Sequence, residues 1–109
     1  MHHGTGTIHH IKPEADGDFH IQVKLDPQFA KLINASNASA QAGSLVVEPV
    51  CQTAVTQADA IEACRDFHSP VRVPSEGIHV RITGSYVLDS EPRHGWMEIH
   101  PVTSISPIQ

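Results

Sequence analysis

Hydrophobic and polar positions alternate most regularly over residues 18–25. Phe19, Ile21, Val23 and Leu25 fall on one side of an extended chain, and Asp18, His20, Gln22 and Lys24 on the other. That pattern predicts a strand with one buried face. Before it, the β-branched Thr5, Thr7, Ile8 and Ile11 mark a strand over 4–11, and Gly17 closes a turn over 13–17. Asp26-Pro27 predicts a helix start: Asp26 accepts the free N–H groups of the first turn, and Pro27 suits the first helical position. Phe29, Leu32 and Ile33 supply a short apolar stripe, and the helix is expected to weaken through the small polar residues of 34–42. A third strand over 44–50 centres on Leu45, Val46 and Val47. Thr56-Gln-Ala-Asp59 is a capping pattern that opens a second helix reaching about Phe67, with Ala60, Ile61, Cys64 and Phe67 on one face. A Pro-rich loop over 68–76 leaves room for a short strand at Val71-Arg-Val73. A long fourth strand over 77–88 turns Ile78, Val80, Ile82 and Tyr86 one way, and Gly84 inside it signals a bulge or bend. A hairpin loop over 89–95 leads to the last strand, 96–105.

The order is β-β-(α)-β-α-β-β. Five strands with a helix between the third and fourth is the connectivity of an OB-fold barrel. The expected class is therefore all-β to α+β: a five-stranded OB-fold-like barrel with two helices, the additional one between strands two and three. A ferredoxin-like α+β sandwich uses similar elements, but the β-β pairs that open and close this chain favour the barrel. The 109 residues suit one domain over 4–109. Residues 1–3 are expected to be a disordered start or tag remnant, because His2 and His3 directly follow Met1.

Composition changes the picture in one respect: there are nine histidines. The net charge is −5 with His neutral and would reach +4 with all nine protonated (−5 + 9), so behaviour should change between about pH 5 and 8. The acidic balance argues against general nucleic-acid binding and against docking on anionic lipid. No apolar run is long enough to span a membrane. A small ligand or a protein is the expected partner. No basic-then-apolar leader precedes Gly4, so the expectation is a cytoplasmic chain, or an exported (periplasmic or extracellular) one whose signal has been removed. Cys51 and Cys64 fit either a single disulfide in an exported domain or two buried thiols in a cytosolic one. The short connection from the third strand to the second helix brings them near enough to bridge. No C-x-x-C, G-x-S-x-G, P-loop or G-x-G-x-x-G motif is present. Asn34-Ala-Ser and Asn37-Ala-Ser match glycosylation sequons.

Two segments collect chemistry on strand faces. In Glu14-Ala-Asp16-Gly-Asp18-Phe-His20, the residues Asp16, Asp18 and His20 are two apart and project to one side. In His94-Gly-Trp96-Met-Glu98-Ile-His100, Trp96, Glu98 and His100 share a face. The first and last segments of a barrel are often neighbours, so the two groups can meet as one acidic, imidazole-bearing surface. The metal reading takes Asp16, Asp18, His20, Glu98 and His100 as ligands of a divalent ion, with hydrolysis as a further expectation. Imidazole suits Zn²⁺, Cu²⁺ or Ni²⁺, and carboxylates suit harder ions such as Ca²⁺. Glu48, Asp89, His94 and Trp96 are the expected ligand-binding neighbours. The alternative is a non-catalytic, metal-free binding module around Trp96 and Tyr86, with the His and acid side chains hydrogen-bonded on a solvated face. A lone Trp is also commonly core or a plug at the mouth of a small barrel.

These motifs resemble those of a family of small bacterial domains without an assigned activity. The resemblance rests on Asp16-Gly-Asp18-Phe-His20, on Leu45-Val-Val-Glu48-Pro-Val-Cys51, and on His94-Gly-Trp-Met-Glu-Ile-His-Pro-Val102 with the stretch from Val80 to Asp89 before it. It covers most of 4–105. It implies a shared site, export, and hence a Cys51–Cys64 disulfide. Ser90-Glu-Pro-Arg93 lengthens the loop before His94 relative to that pattern. Asp16-Gly-Asp18 also resembles the early-strand Asp-Gly-Asp of the staphylococcal-nuclease family, a calcium-dependent OB-barrel phosphodiesterase; that likeness covers three residues.

Overall fold

A computed structural model describes residues 2–52, 56–65 and 71–108. Five strands make a closed barrel: β1 (His2–Pro13), β2 (Phe19–Leu25), β3 (Leu45–Val47), β4 (His79–Leu88) and β5 (Met97–Pro107). Two short α-helices join them, α1 (Ala35–Ala40) between β2 and β3 and α2 (Ile61–Cys64) between β3 and β4. The strand order is β1-β2-β3-β5-β4, and β4 closes on β1. Every pairing is antiparallel except β3 with β5. This is the OB-like barrel with two helices that the pattern predicts.

The alternation fills the barrel as expected. Ile21 and Val23 of β2, Val80 and Ile82 of β4 and Ile99 of β5 are buried in one cluster with Ile8 of β1. Ile8 and Ile11 are three apart, an odd spacing that would put them on opposite faces of a regular strand. A bulge at His9 inserts the extra residue that lets both serve the core. Gly84 marks the irregularity expected in β4. A Cβ there would collide with the Pro101 carbonyl and the Ile99 side chain, so the close passage of β5 needs glycine.

Several local expectations are corrected. The segment after Asp26 is a 3₁₀ turn, Pro27–Leu32, and the α-helix lies in the stretch expected to weaken. The cause is capping. The Asn34 side chain accepts from the Asn37 N–H and the Asn37 side chain accepts from the Asn34 N–H, a reciprocal box that starts α1. Asn37 is fully buried, donating to the Ser44 and Met97 carbonyls and accepting from the Met97 N–H, so the second sequon is not open to glycosylation in the folded chain. The Asp26 side chain caps nothing. It accepts from the Thr5 hydroxyl and pairs with His79, each at 2.6 Å, which clamps β1 to the foot of β4 and holds its carboxyl below the usual range. The turn at Ala58–Ala60 has no side-chain cap. Val71-Arg-Val73 forms no strand, and Phe67 lies outside the described residues. β1 begins earlier than expected, because His2 and His3 continue its ladder opposite Gly84 and Thr83.

Cys51 and Cys64 form a disulfide with Cα atoms 5.4 Å apart. The two alternatives for the cysteines thus resolve to the bridge. Closing a loop of this size stabilises the fold by about 3 kcal/mol in the chain-entropy picture.

These contacts set the expected cost of three variants. Asn37→Ala strands four buried or part-buried backbone groups, the N–H groups of Asn34 and Met97 and the carbonyls of Ser44 and Met97, and should cost about 3 kcal/mol or more in urea unfolding. Asn34→Ala, which removes a cap, should cost about 1–2 kcal/mol. The double variant Cys51→Ala/Cys64→Ala should lose about 3 kcal/mol by the same assay. Equal effects of the two Asn substitutions would contradict the central role of Asn37.

Candidate functional site

The ladders that build the core also align the outer faces of β2, β3 and β5. Ile21 pairs with Val47 and Val47 with Ile99, all pointing inward. One residue on along β3 and β5, and one residue back along the antiparallel β2, Glu48, His100 and His20 therefore come side by side on the outside of the barrel. Glu48 is held there by its backbone: its N–H donates to the Ile99 carbonyl, and its carbonyl accepts from the Val102 N–H.

This outer face is not wet, contrary to the expectation for a strand face. Side-chain exposure is 4% for Glu98, 10% for Asp18 and Glu48, 15% for His20 and 34% for His100. Three segments roof it. The β1–β2 loop brings Glu14 and Asp18. The end of α1 brings Gln41, and α1 is itself fixed by Asn37 on β5 and by Asn34 on the Gly95 carbonyl. The β4–β5 hairpin brings His94. What stays open is a polar pocket of about 900 Å³, lined among others by Glu14, His20, Glu48, His94 and His100. It uses the β2–β3 face and the loops after β1 and β4, where OB barrels carry ligands.

Glu48 stands between the two imidazoles. Its Oε1 faces His20 Nδ1 at 3.2 Å and its Oε2 faces His100 Nδ1 at 3.0 Å. His20 Nε2 donates to Gln41 Oε1 at 2.8 Å, and that oxygen also accepts from Gln22. A proton fixed on Nε2 leaves Nδ1 as the nitrogen that offers a lone pair when the ring is neutral. His100 Nε2 faces Asp18 Oδ2 at 3.4 Å, and its Nδ1 also faces Glu98 Oε1 at 3.3 Å. The other Glu98 oxygen accepts from the Trp96 indole N–H at 2.8 Å. The other Asp18 oxygen accepts from the backbone N–H of Cys51, next to the disulfide.

Charge in this cluster is unbalanced. Four carboxylates (Glu14, Asp18, Glu48, Glu98) meet two imidazoles, and the partners that Asp18, Glu48 and Glu98 find as ion pairs among the described residues are histidines. The cluster therefore retains protons. Burial, and then the nearby Glu48 charge, push the Glu14 carboxyl up to about 7. The Asp18 carboxylate, then Glu98, push His100 up to about 10 against the opposing effect of burial. The bond to Glu48 raises His20 in the same way.

Among the described residues, three groups have ligand atoms close enough to share an ion: Glu14, His20 and Glu48; Asp18, Glu48 and His100; and, in the hairpin, Asp89, Glu91 and His94. In the last, His94 Nδ1 lies 2.7 Å from Asp89 and its ring stacks on Trp96 with centroids 4.1 Å apart. Burial would raise the Asp89 carboxyl, but the Glu91 N–H and His94 outweigh it and hold it below the usual range.

Of the expected ligands, Asp18, His20 and His100 come together. Asp16 sits apart from these groups and its carboxylate accepts the Asp18 N–H, shaping the turn. Glu98 faces His100 Nδ1, the nitrogen that also faces Glu48, and is held by the Trp96 indole; among the described residues it joins no three-ligand group. Trp96 is buried, but on the outer face beneath His94, so it is neither barrel core nor an open stacking platform. Tyr86 turns away to pack on the core and donates to the Leu32 carbonyl. Glu48 proves central rather than peripheral. Glu14 continues the two-residue stripe of Asp16, Asp18 and His20, a signal present in the sequence. Gln41 carries none, because it arrives from a helix whose placement depends on Asn37.

No family model, no curated protein and no solved structure matches this chain.

The retained protons set a pH dependence. Glu14, raised when folded, is protonated in the folded chain and ionised in the unfolded one between about pH 4.5 and 7. His100 holds its proton when folded from the model-compound value of 6.5 up to about 10. In both windows the folded state binds more protons, so stability in the presence of a chelator should fall as pH rises. Urea midpoints measured from pH 5 to 10 should decline, and His100→Gln should flatten the upper part of the curve. A flat profile in the parent protein would contradict the geometry of the cluster.

Proposed function

We propose that the outer face of this barrel binds a divalent metal ion of the zinc class through His20, His100 and Glu48, with Glu14 and Asp18 completing the set. One observation carries the reading: a buried carboxylate, Glu48, presents one oxygen to each of two imidazoles. Bonds of about 2.0–2.2 Å at tetrahedral angles separate ligand atoms by about 3.3–3.5 Å. The gaps from Glu48 to the two imidazole nitrogens, 3.2 and 3.0 Å, are within a few tenths of an ångström of that. The mixed nitrogen and oxygen donors favour Zn²⁺ over Ca²⁺, which prefers six to eight oxygens. Excess negative charge supports a cation rather than an anionic ligand.

Outer contacts match what a metal centre requires. Gln41, bonded to the His20 nitrogen turned away from Glu48, sets that ring's orientation, and the Trp96 indole fixes the Glu98 carboxylate beside His100 Nδ1. The pocket beside the ligands leaves room for a substrate, as a catalytic rather than a closed structural site needs. An ion held there would supply an activated water, and the open pocket beside His20, Glu48 and His100 would receive a hydrolysable group. The disulfide supports an oxidising, exported setting.

The test is metal binding by protein carrying His2→Ala and His3→Ala, since terminal histidines bind the same ions. Calorimetry should show Zn²⁺ uptake tighter than Ca²⁺ uptake. His20→Ala/His100→Ala should abolish it, and Gln41→Ala should weaken it roughly 10–100-fold. Zn²⁺ binding unchanged in the double variant would remove this site and leave the pocket as a metal-free binding surface.

A further inference from the structure

We infer that the site is built for two divalent ions bridged by Glu48, one held on the Glu14–His20 side and the other on the Asp18–His100 side. The inference rests on the metal-binding reading above and deepens it. Glu14, His20 and Glu48 form one group of convergent ligand atoms, Asp18, Glu48 and His100 another, and Glu48 is their common member. The sharing is divided between the two carboxylate oxygens. Oε1 belongs to the His20 side and Oε2 to the His100 side. A carboxylate used in this way joins two ions about 3.5–4 Å apart, the spacing of hydrolytic two-metal centres.

Each half has an imidazole and a private carboxylate from the β1–β2 loop, Glu14 with His20 and Asp18 with His100. On the His20 side Gln41 also orients the ring through the nitrogen turned away from Glu48. Charge arithmetic points the same way. With neutral imidazoles the four carboxylates carry −4. One divalent ion would leave −2 in a largely buried cluster, and two bring it to zero. Glu48 is suited to bridging because its backbone is bonded on both sides to β5, which fixes the midpoint of the pair.

Protein carrying His2→Ala and His3→Ala, stripped by chelator, is dialysed against Zn²⁺ for stoichiometry and loaded with Cu²⁺ for electron paramagnetic resonance. The expected results are two Zn²⁺ per chain and a spin-coupled Cu²⁺ pair. His20→Ala and His100→Ala should each keep one ion, uncoupled, and Glu48→Gln should weaken both at least tenfold. His94→Ala should keep two, since it removes only the separate hairpin group. One ion per chain with an uncoupled signal overturns the two-ion site while leaving the metal-binding reading intact. No ion overturns both. Two uncoupled ions, one of them lost in His94→Ala, also overturn it, because the second then lies in the hairpin. The stoichiometry and coupling of the parent decide the matter even if a histidine variant fails to fold.

Discussion

The three-residue ladder of β3 is the constraint on which the site depends. Leu45, Val46 and Val47 are all buried, so this strand is covered on both faces. It runs antiparallel to β2 and parallel to β5, and those two pairings set which residues of distant segments lie abreast. Side chains in a strand alternate with a period of two, so a slip of one residue would turn Glu48 inward and Val47 outward. Burying Leu45 and Val47 is worth roughly 1.5–3 kcal/mol each, and a carboxylate inside an apolar barrel costs several more. Core packing therefore enforces the position of Glu48 without any contact to the imidazoles.

The roof gives the outer face its chemistry. Left open, the same strand face would be screened by water and its ion pairs would be worth little. Asn37 prevents this by docking α1 on the start of β5, which delivers Gln41 to His20. The hairpin completes the cover with His94 stacked over Trp96. In the resulting low-dielectric setting, charges interact strongly and a surplus of one sign becomes a functional statement.

That surplus opposes folding, since four carboxylates are brought together around two rings. The fold offsets it elsewhere: in the closed barrel, in the disulfide that ties the Cys51 segment to α2, and in the Thr5–Asp26–His79 clamp at the other end of β2. The Cys51 N–H also holds one Asp18 oxygen, so the bridged segment supports the site directly. Groups of like charge kept at such a cost are typical of functional sites.

The linear chain determined the barrel. Its period-two runs, its turn glycines and the placement of the second helix specify five strands in this order, because burying alternate residues admits few topologies. It also marked Asp18, His20 and His100 as chemistry on strand faces. What it left undecided is everything that requires strands far apart in sequence to lie abreast. Glu48 is one acid among several until the parallel β3–β5 register seats it between two histidines. Glu98 and Trp96 look like ligands until the Trp96 indole is found bonded to Glu98 beside His100. Gln41 is unremarked until a helix started by two asparagines carries it to His20. Local periodicity reports which face a residue occupies, whereas contact, burial and charge balance depend on which faces meet. Only the closed tertiary structure settles that.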